Sequence, residues 1–288
     1  MSVRKPLRLV QVSDTHLSAT HAWFVDNFQI FATLMAKRPP DLIVHTGDVA
    51  FNGPDAPDDL TFGHAALTRL PAPWRAIPGN HDVGETPRDV ATKQPVTAAR
   101  LAAWDALFGR GFWRMRFGDW RLVGVNTALL GSGLAAEREQ DAFFSEALAP
   151  GALGPAMVFA HIPPFLDNAE ETRPTRRALP LPQRRKFLDR CKAGGVRIIA
   201  CGHLHIYRAM RHEGIDIVWG PATSCVNIPA RVNPRTIIAR AGYLEWTFDG
   251  ESVSHRLVEP PDMPTLDLHR WIEEHGSVTK LPPKIVNG

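Results

Sequence analysis

The chain has 288 residues, 44% of them hydrophobic and 22% charged, and its formal net charge is only +3. This composition can bury a core and excludes a disordered chain, while the small charge disfavours an extended nucleic-acid partner. Three cysteines make no disulfide framework, no apolar run reaches the roughly 18–20 residues of a membrane span, and residues 1–6 leave no room for a signal peptide. We therefore expect a soluble, cytoplasmic protein.

The first third of the chain alternates predicted strands with predicted helices. Short β-rich apolar runs at residues 7–12, 42–44 and 74–77 favour strands. Between them, residues 23–37 and 59–70 place apolar side chains at helical spacing. Because strand–helix alternation is typical of an α/β sheet, we predict the α/β class.

Later segments first continue this pattern and then change it. Helices are predicted from Thr97 onward and over 136–148 and 183–193, and strands at 112–117, 120–126, 156–160 and 196–201, the first two as a hairpin. Beyond residue 205 the pattern consists of strands alone, at 207–211, 215–219, 236–239, 242–248 and 252–258. We predict one domain over residues 1–259, followed by a Pro-rich tail over 260–288 with a short helix near 266–275.

Residues 163–182 contain five prolines and no usable periodicity, which predicts a long loop of the kind that often covers a site. A basic run begins in this loop and continues into the next helix, and it comprises Arg173, Arg176, Arg177, Arg184, Arg185 and Lys186. We interpret the run as a solvated charged face. Attraction of a phosphate-bearing substrate is the alternative.

Five predicted strands end in side chains that can bind a metal ion. In chain order these side chains are Asp14 and His16, Asp48, Asn80 with His81, His161, and His203 with His205. Parallel strands place their carboxyl ends along one edge of a sheet, where open α/β sheets bind ligands. His45, which lies on a strand just before the Thr-Gly turn, is expected to be buried and hydrogen-bonded instead.

This set of ligands predicts a particular class of metal. Carboxylate, imidazole and amide oxygen together suit first-row divalent metals such as Mn, Fe, Zn or Ni, whereas Ca²⁺ prefers oxygen ligands alone. Even without His81, the seven remaining candidates are too many for one tetrahedral ion. They fit two ions about 3.5–4 Å apart that share one carboxylate.

The same residues form five short motifs, namely Asp14-x-His16, Gly47-Asp48, Gly79-Asn80-His81-Asp82, His161-x-Pro163-Pro164 and Gly202-His203-x-His205. In this order, over residues 14–205, they resemble the five-block motif of the calcineurin-like metallophosphoesterases. The resemblance implies a four-layer α/β/β/α sandwich, in which helices flank two mixed β-sheets. Within the family, the chain is most similar to bacterial phosphodiesterases of the cyclic-nucleotide and glycerophosphodiester type.

The resemblance also implies a role for each motif residue. One metal ion would be held by Asp14, His16, Asp48 and His205, and the other by Asp48, Asn80, His161 and His203. His81 would be the catalytic histidine, with Asp82 fixing the orientation of its ring. Asn80 and His81 would stabilise negative charge that develops on the phosphate. The implied cofactors are two divalent or trivalent ions of Mn, Fe or Zn.

The function implied is hydrolysis of small soluble phosphodiesters, by a hydroxide that bridges the two ions and attacks phosphorus. A phosphomonoesterase with the same motifs is the open alternative. The modest charge and the lack of aromatics among the basic residues disfavour a nuclease. A non-catalytic scaffold would show broken ligand positions, and here none is broken. The expected partner is therefore a small phosphodiester, with no membrane and no nucleic-acid polymer, and a homodimer is left open.

Overall fold

The computed structural model describes residues 5–87, 92–149, 151–152, 154–230 and 232–276. The strands are β1 (Leu7–Val12), β2 (Leu42–His45), β3 (Trp74–Ala76), β4 (Trp113–Phe117), β5 (Trp120–Val125), β6 (Ala156–Ala160), β7 (Val196–Cys201), β8 (Arg208–His212), β9 (Ile215–Trp219), β10 (Cys225–Val226), β11 (Tyr243–Asp249), β12 (Ser252–Val258) and β13 (Leu266–Asp267). The helices are α1 (Val25–Lys37), α2 (Pro57–Thr68), α3 (Asn80–Val83), α4 (Ala98–Phe108), α5 (Ala135–Ala147), α6 (Leu181–Ala193) and α7 (Leu268–His275). Within the described ranges, no helix is long and apolar enough to cross a membrane.

Two large mixed sheets make up the centre of the structure. One has the strand order β12-β11-β1-β2-β3, in which β1, β2 and β3 run parallel. The other has the order β4-β5-β6-β7-β9-β8, in which β5, β6, β7 and β9 run parallel. In the first sheet the antiparallel pair β12-β11 flanks β1 on one side and parallel β3 forms the opposite edge, whereas in the second sheet antiparallel β4 and β8 form both edges. The parallel strands of each sheet are therefore contiguous and share their carboxyl ends.

Alternate residues of the central strands face two different cores. Leu9 and Phe159 belong to the core between the two sheets. Their neighbours in sequence face outward, Val10 toward Phe31 of α1 and Val158 toward α5 and α6. Because both strand faces are covered, the strands appear in the sequence as continuous apolar runs. The predicted α/β/β/α sandwich is therefore confirmed, with α1, α2 and α4 on one side and α5 and α6 on the other.

One predicted strand is wrong. Residues 236–239 were expected to form a strand, but Pro234–Thr236 is a 3₁₀ turn. The Asn233 side chain caps this turn by accepting a hydrogen bond from the amide of Arg235 over 3.0 Å. Only Ile238 makes a bridge, with Tyr207, among the described residues of this segment. Strong β propensity did not suffice because the capped turn occupies the start of the segment.

The interpretation of the basic run as a solvated face is also wrong at one position. Arg184 lies in α6 and is 2% exposed. Its guanidinium donates hydrogen bonds of 2.7–2.8 Å to four main-chain carbonyls of the preceding loop, those of Pro164, Ala169, Glu171 and Leu179. Arg184 therefore forms the polar centre of loop 163–180.

The described part of the tail packs against the rest of the chain. Strand β13 pairs in parallel with β10, and Met263 is buried. The rings of Trp271 in α7 and Trp23 meet edge to face, with centroids 5.1 Å apart. The domain boundary at residue 260 stays a prediction, and residues 277–288 lie outside the described ranges.

Candidate metal centre

The candidate ligands lie where the parallel strands of both sheets end. The loops after β1 and β2 run side by side, joined by hydrogen bonds from the amide of Asp14 to the carbonyl of Gly47 (3.0 Å) and from the amide of His16 to the carbonyl of Asp48 (3.1 Å). In the other sheet, the amide of Gly202 donates to the carbonyl of His161 over 3.0 Å, which joins the loops after β6 and β7. The sandwich thus brings four loops to one edge.

Asp14, His16, Asp48 and His205 form the first group of candidate ligands. All four are buried, and their potential ligand atoms lie within 4.8 Å of one another. His16 Nε2 is 3.2 Å from His205 Nε2, and His205 Nε2 is 3.3 Å from Asp14 Oδ1. These are the residues predicted to hold one metal ion.

Asp48 also belongs to a second group, with His161 and His203. His161 Nε2 is 3.3 Å from Asp48 Oδ2 and 3.2 Å from His203 Nδ1. The amide oxygen of Asn80 is also 3.2 Å from His161 Nε2. All seven residues singled out from the sequence therefore converge, and Asp48 is the carboxylate common to both groups.

The outer ring nitrogens of three histidines have main-chain partners. His161 Nδ1 lies 2.8 Å from the carbonyl of Thr46, His205 Nδ1 lies 2.9 Å from that of Cys225, and His203 Nε2 lies 3.0 Å from that of Arg176. Because a carbonyl only accepts, each outer nitrogen donates, and a neutral ring then directs its remaining lone pair into the cluster. Histidine ligands of metal ions are normally oriented in this way.

The donor set fits a pair of cations. The inward-facing lone pairs of His161 Nε2 and His203 Nδ1, 3.2 Å apart, repel each other unless a proton or a metal ion lies near both. Burial opposes ionisation of Asp14 and Asp48, yet the surrounding histidines hold the pKa of both carboxyl groups below the ordinary value. Burial likewise opposes protonation of His161, but Asp48 and Asp14 raise its pKa to about 9. The cluster therefore attracts positive charge, which protons or metal ions can provide.

His81 is held beside this cluster through its main chain and its ring. Its amide donates to Asp48 Oδ1 over 2.7 Å, and its Nδ1 donates to the carbonyl of Phe51, also over 2.7 Å. The ring of His81 meets that of His16 edge to face, with centroids 4.6 Å apart. His81 therefore borders the first group of ligands.

The prediction that Asp82 orients the His81 ring is wrong. The Asp82 carboxylate accepts hydrogen bonds from the main-chain amides of Val49 (3.2 Å), Ala50 (2.8 Å) and Gly79 (2.8 Å). Burial and the nearby charge of Asp48 raise the pKa of Asp82 to about 7. Asp82 thus joins the loop after β2 to the start of α3, and the Phe51 carbonyl holds the ring.

Five of the candidate ligands have left-handed backbone conformations. Their φ angles are 52° for Asp14, 46° for His16, 56° for Asp48, 70° for His203 and 59° for His205. This conformation is unfavourable for residues with a side chain, although Asp and His adopt it more readily than most. It turns the chain sharply after each strand, which directs alternate side chains toward one centre.

His45 is buried and hydrogen-bonded, as predicted. Its Nδ1 accepts a hydrogen bond from the amide of Gly47 over 3.2 Å, and its Nε2 lies 3.0 Å from the hydroxyl of Thr15. That hydroxyl donates to the carbonyl of Val49 over 3.1 Å. His45 is therefore hydrogen-bonded to both of the loops that follow β1 and β2. The main-chain partners of the ligands were missed, because a carbonyl leaves no residue-type signal in a sequence.

Known proteins resemble this chain over most of its length. A probable glycerophosphodiester phosphodiesterase GpdQ of Arcobacter nitrofigilis is 22% identical over 283 residues, covering 94% of this chain and 91% of that protein. The human serine/threonine-protein phosphatase CPPED1 is 25% identical over 198 residues, covering 65% of this chain and 60% of that protein. The purple acid phosphatase PPD1 of yellow lupin has the same fold, with a TM-score of 0.67 at 14% identity, over 91% of this chain and 53% of that chain.

These similarities differ in what they show. The chain spans less than two thirds of the human and lupin proteins, and the likeness to the lupin structure concerns the fold alone. The profile of the family described as Calcineurin-like phosphoesterase matches residues 7–207, which include all of the candidate ligands. The chain therefore belongs to the calcineurin-like phosphoesterase family.

Proposed function

We propose that the protein is a dinuclear metal-dependent phosphodiesterase that hydrolyses small phosphodiesters of the cyclic-nucleotide or glycerophosphodiester type. The observation that carries the proposal is the position of Asp48, whose carboxylate is common to both groups of ligand atoms. Two cations that share a carboxylate form the usual centre for in-line displacement at phosphorus. Similarity to the Arcobacter protein over nearly the whole chain supports a diester substrate.

The residues would divide between two sites. Asp14, His16, Asp48 and His205 would hold one ion, and Asp48, Asn80, His161 and His203 the other. Bound there, Mn, Fe or Zn ions would supply Lewis acidity, which acidifies water and neutralises charge on the phosphate. The mixture of imidazole and carboxylate suits all three metals.

The chain's own groups account for binding and proton transfer. Hydrolysis adds water to phosphorus and breaks one P–O bond, so the departing alcohol oxygen needs a proton. Because Nδ1 of His81 donates to Phe51, Nε2 is the ring nitrogen that would deliver that proton, with the ring in its imidazolium form. The Asn80 side chain and the His81 ring stabilise charge on the phosphate oxygens. Asp82 fixes the relative positions of the loops that carry Asp48 and Asn80.

A phosphomonoesterase is the second candidate function. The human relative is named a serine/threonine-protein phosphatase, and its match covers 65% of this chain. The same ligands serve either ester, so the shape of the surrounding loops decides between them. A non-catalytic scaffold is disfavoured because every candidate ligand is present and converges.

The proposal also includes a reducing location. Cys191, Cys201 and Cys225 are free and buried, which agrees with a cytoplasmic protein. Assembly as a homodimer stays a prediction.

The decisive experiment compares two chromogenic esters. Purified protein is analysed for bound metal, then stripped and reloaded with Mn, Fe or Zn, and its rates on bis(p-nitrophenyl) phosphate and p-nitrophenyl phosphate are measured. We expect bound transition metal, restoration of activity on reloading, and a higher kcat/KM for the diester. A higher kcat/KM for the monoester would support the second candidate. Protein that none of the three metals activates on either ester would contradict both functions.

A further inference from the structure

Arg177 directly follows the main-chain partner of the candidate ligand His203, and none of the steps above uses it. The carbonyl of the preceding residue, Arg176, accepts the hydrogen bond from His203 Nε2 over 3.0 Å. The guanidinium of Arg177 reaches toward the side chain of Asn227. Two residues before Asn227, the carbonyl of Cys225 accepts the hydrogen bond from His205 Nδ1. Arg177 thus lies between the two segments whose carbonyls accept from His203 and His205.

The main chain around Arg177 is fixed. The amide of Arg177 donates to the hydroxyl of Thr175 over 3.1 Å, and the amide of Leu179 donates to the carbonyl of Pro163 over 3.0 Å. Buried Arg184 in turn donates to the carbonyl of Leu179 over 2.8 Å. The side chain of Arg177 is therefore presented from an ordered backbone, which reduces the entropy lost when it binds a ligand.

The guanidinium of Arg177 is poorly satisfied by the protein itself. Among the described residues its side chain makes one hydrogen bond, to Asn227 Oδ1 at 3.5 Å, which is the weak limit of such a bond. No carboxylate in the described ranges pairs with it, whereas its neighbour Arg176 is paired with Glu85. Arg177 is partly buried, and burial lowers the pKa of its guanidinium below the ordinary value. A partly buried cation with free donors is expected to bind an anion.

We propose that Arg177 binds a second anionic group, a carboxylate or a phosphate, carried by one of the two alcohol portions of the phosphodiester substrate. The inference depends on the proposed phosphodiesterase function. The reacting phosphate is accommodated by the metal ligands, Asn80 and His81, so Arg177 serves a different part of the substrate. The planar guanidinium matches both anions in a two-pronged geometry.

Three matched diesters test this inference with the metal-loaded enzyme. They are p-nitrophenyl phosphates esterified with a butyl, a 3-carboxypropyl or a 3-phosphonopropyl group. We expect wild-type protein to prefer one or both charged diesters. The Arg177→Gln variant should lose about 10–100-fold in kcat/KM on the preferred ester, as expected for a charge-assisted hydrogen bond, while its rate on the butyl diester stays within about twofold.

Two further variants control the comparison. Arg177→Lys keeps the charge without the planar fork and should lose less than Arg177→Gln, which separates binding from folding. Arg173→Gln alters an exposed arginine of the same loop and should leave all three rates unchanged.

The possible results are distinguishable. Equal losses on all three diesters, or no loss on any, would overturn the assignment of Arg177 while leaving the phosphodiesterase function intact. Failure of wild-type protein to cleave any of them would contradict the proposed function, and this inference with it.

Discussion

The main-chain amide of His81 donates to Asp48 Oδ1 over 2.7 Å, while Oδ2 of the same carboxylate lies 3.3 Å from His161 Nε2. His81, the proposed proton donor, is therefore hydrogen-bonded through its main chain to Asp48, the residue common to both groups of ligands. Because the contact involves the backbone of His81, it survives replacement of the His81 side chain.

Replacing Asp48 by Asn should remove metal and activity together. Loss of a group that only supports a ligand costs about 10–100-fold in metal affinity or activity, so loss of the shared carboxylate should cost more. We expect the Asp48→Asn variant to bind fewer than two ions per chain and to lose at least about a hundredfold in kcat. Elemental analysis and diester hydrolysis measure both effects, with Asp58→Asn on exposed α2 surface as the control. A variant with two ions and wild-type kcat would refute the shared role of Asp48.

Replacing His81 by Gln should separate chemistry from metal binding. The backbone contact with Asp48 survives, so we expect the metal content to be unchanged. General acid catalysis is worth about 10²–10⁴-fold, and an alkoxide needs a proton more than a nitrophenolate does. The Gln variant should therefore lose more activity on an alkyl diester than on a nitrophenyl diester. Equal losses on both esters would indicate that His81 does not protonate the leaving group.

Arg184→Met should destabilise the protein although it alters a residue from a basic run. Four main-chain carbonyls lose their donor, and each buried unsatisfied group costs about 1–3 kcal/mol. We expect the free energy of unfolding to fall by at least about 3 kcal/mol in urea titrations. The matched control is Arg185→Met, since Arg185 is exposed and its one ion-pair partner in the described part of the chain is exposed Glu170. If both variants unfolded at the wild-type urea concentration, the role assigned to Arg184 would be wrong.

The ion pairs of Glu245 should make stability depend on pH. Burial opposes its ionisation, but hydrogen bonds from Arg8 (2.6 Å) and Arg256 (3.0 Å) hold the pKa of Glu245 below its ordinary value. As pH falls, the carboxyl group in the unfolded chain therefore takes up its proton before the native one does. The stabilisation by ionised Glu245 is complete above the ordinary pKa of about 4.3. It is lost as pH falls through the lower pKa of the native state.

The comparison of wild type with Glu245→Gln tests that dependence. We expect the variant to be less stable by about 1–3 kcal/mol at pH 7, and the difference to be smaller at about pH 3. Urea titrations at the two pH values measure it. A difference that stayed the same at both would show that ionised Glu245 is not its source.

The convergence of the ligands could be predicted because it follows from strand order and direction. Each candidate comes directly after an apolar run, and parallel strands end at the same edge. Strands such as Ala156–Ala160 and Val196–Cys201 were predicted at their observed bounds, since burial on both faces leaves a continuous apolar run.

Other features could not be predicted because they depend on groups without a local pattern. Arg184 is buried because carbonyls of loop 163–180 surround its guanidinium. The basic residues beside Arg184 in the sequence instead indicate a solvated face. The family resemblance implied Asp82 as the partner of the His81 ring, but in the structure the ring nitrogen Nδ1 donates to the carbonyl of Phe51. Main-chain acceptors become visible only once the loops are in place.

The left-handed turns at five candidate ligands have a consequence for evolution. Each costs roughly 1 kcal/mol relative to glycine at the same position, so this edge of the sandwich lowers the stability of the fold that carries it. At positions 14, 48, 203 and 205 glycine would relieve this strain but remove a side chain that is hydrogen-bonded to a main-chain group. We therefore expect inactive descendants of this chain, and laboratory selection for thermostability alone, to show glycine first at position 16.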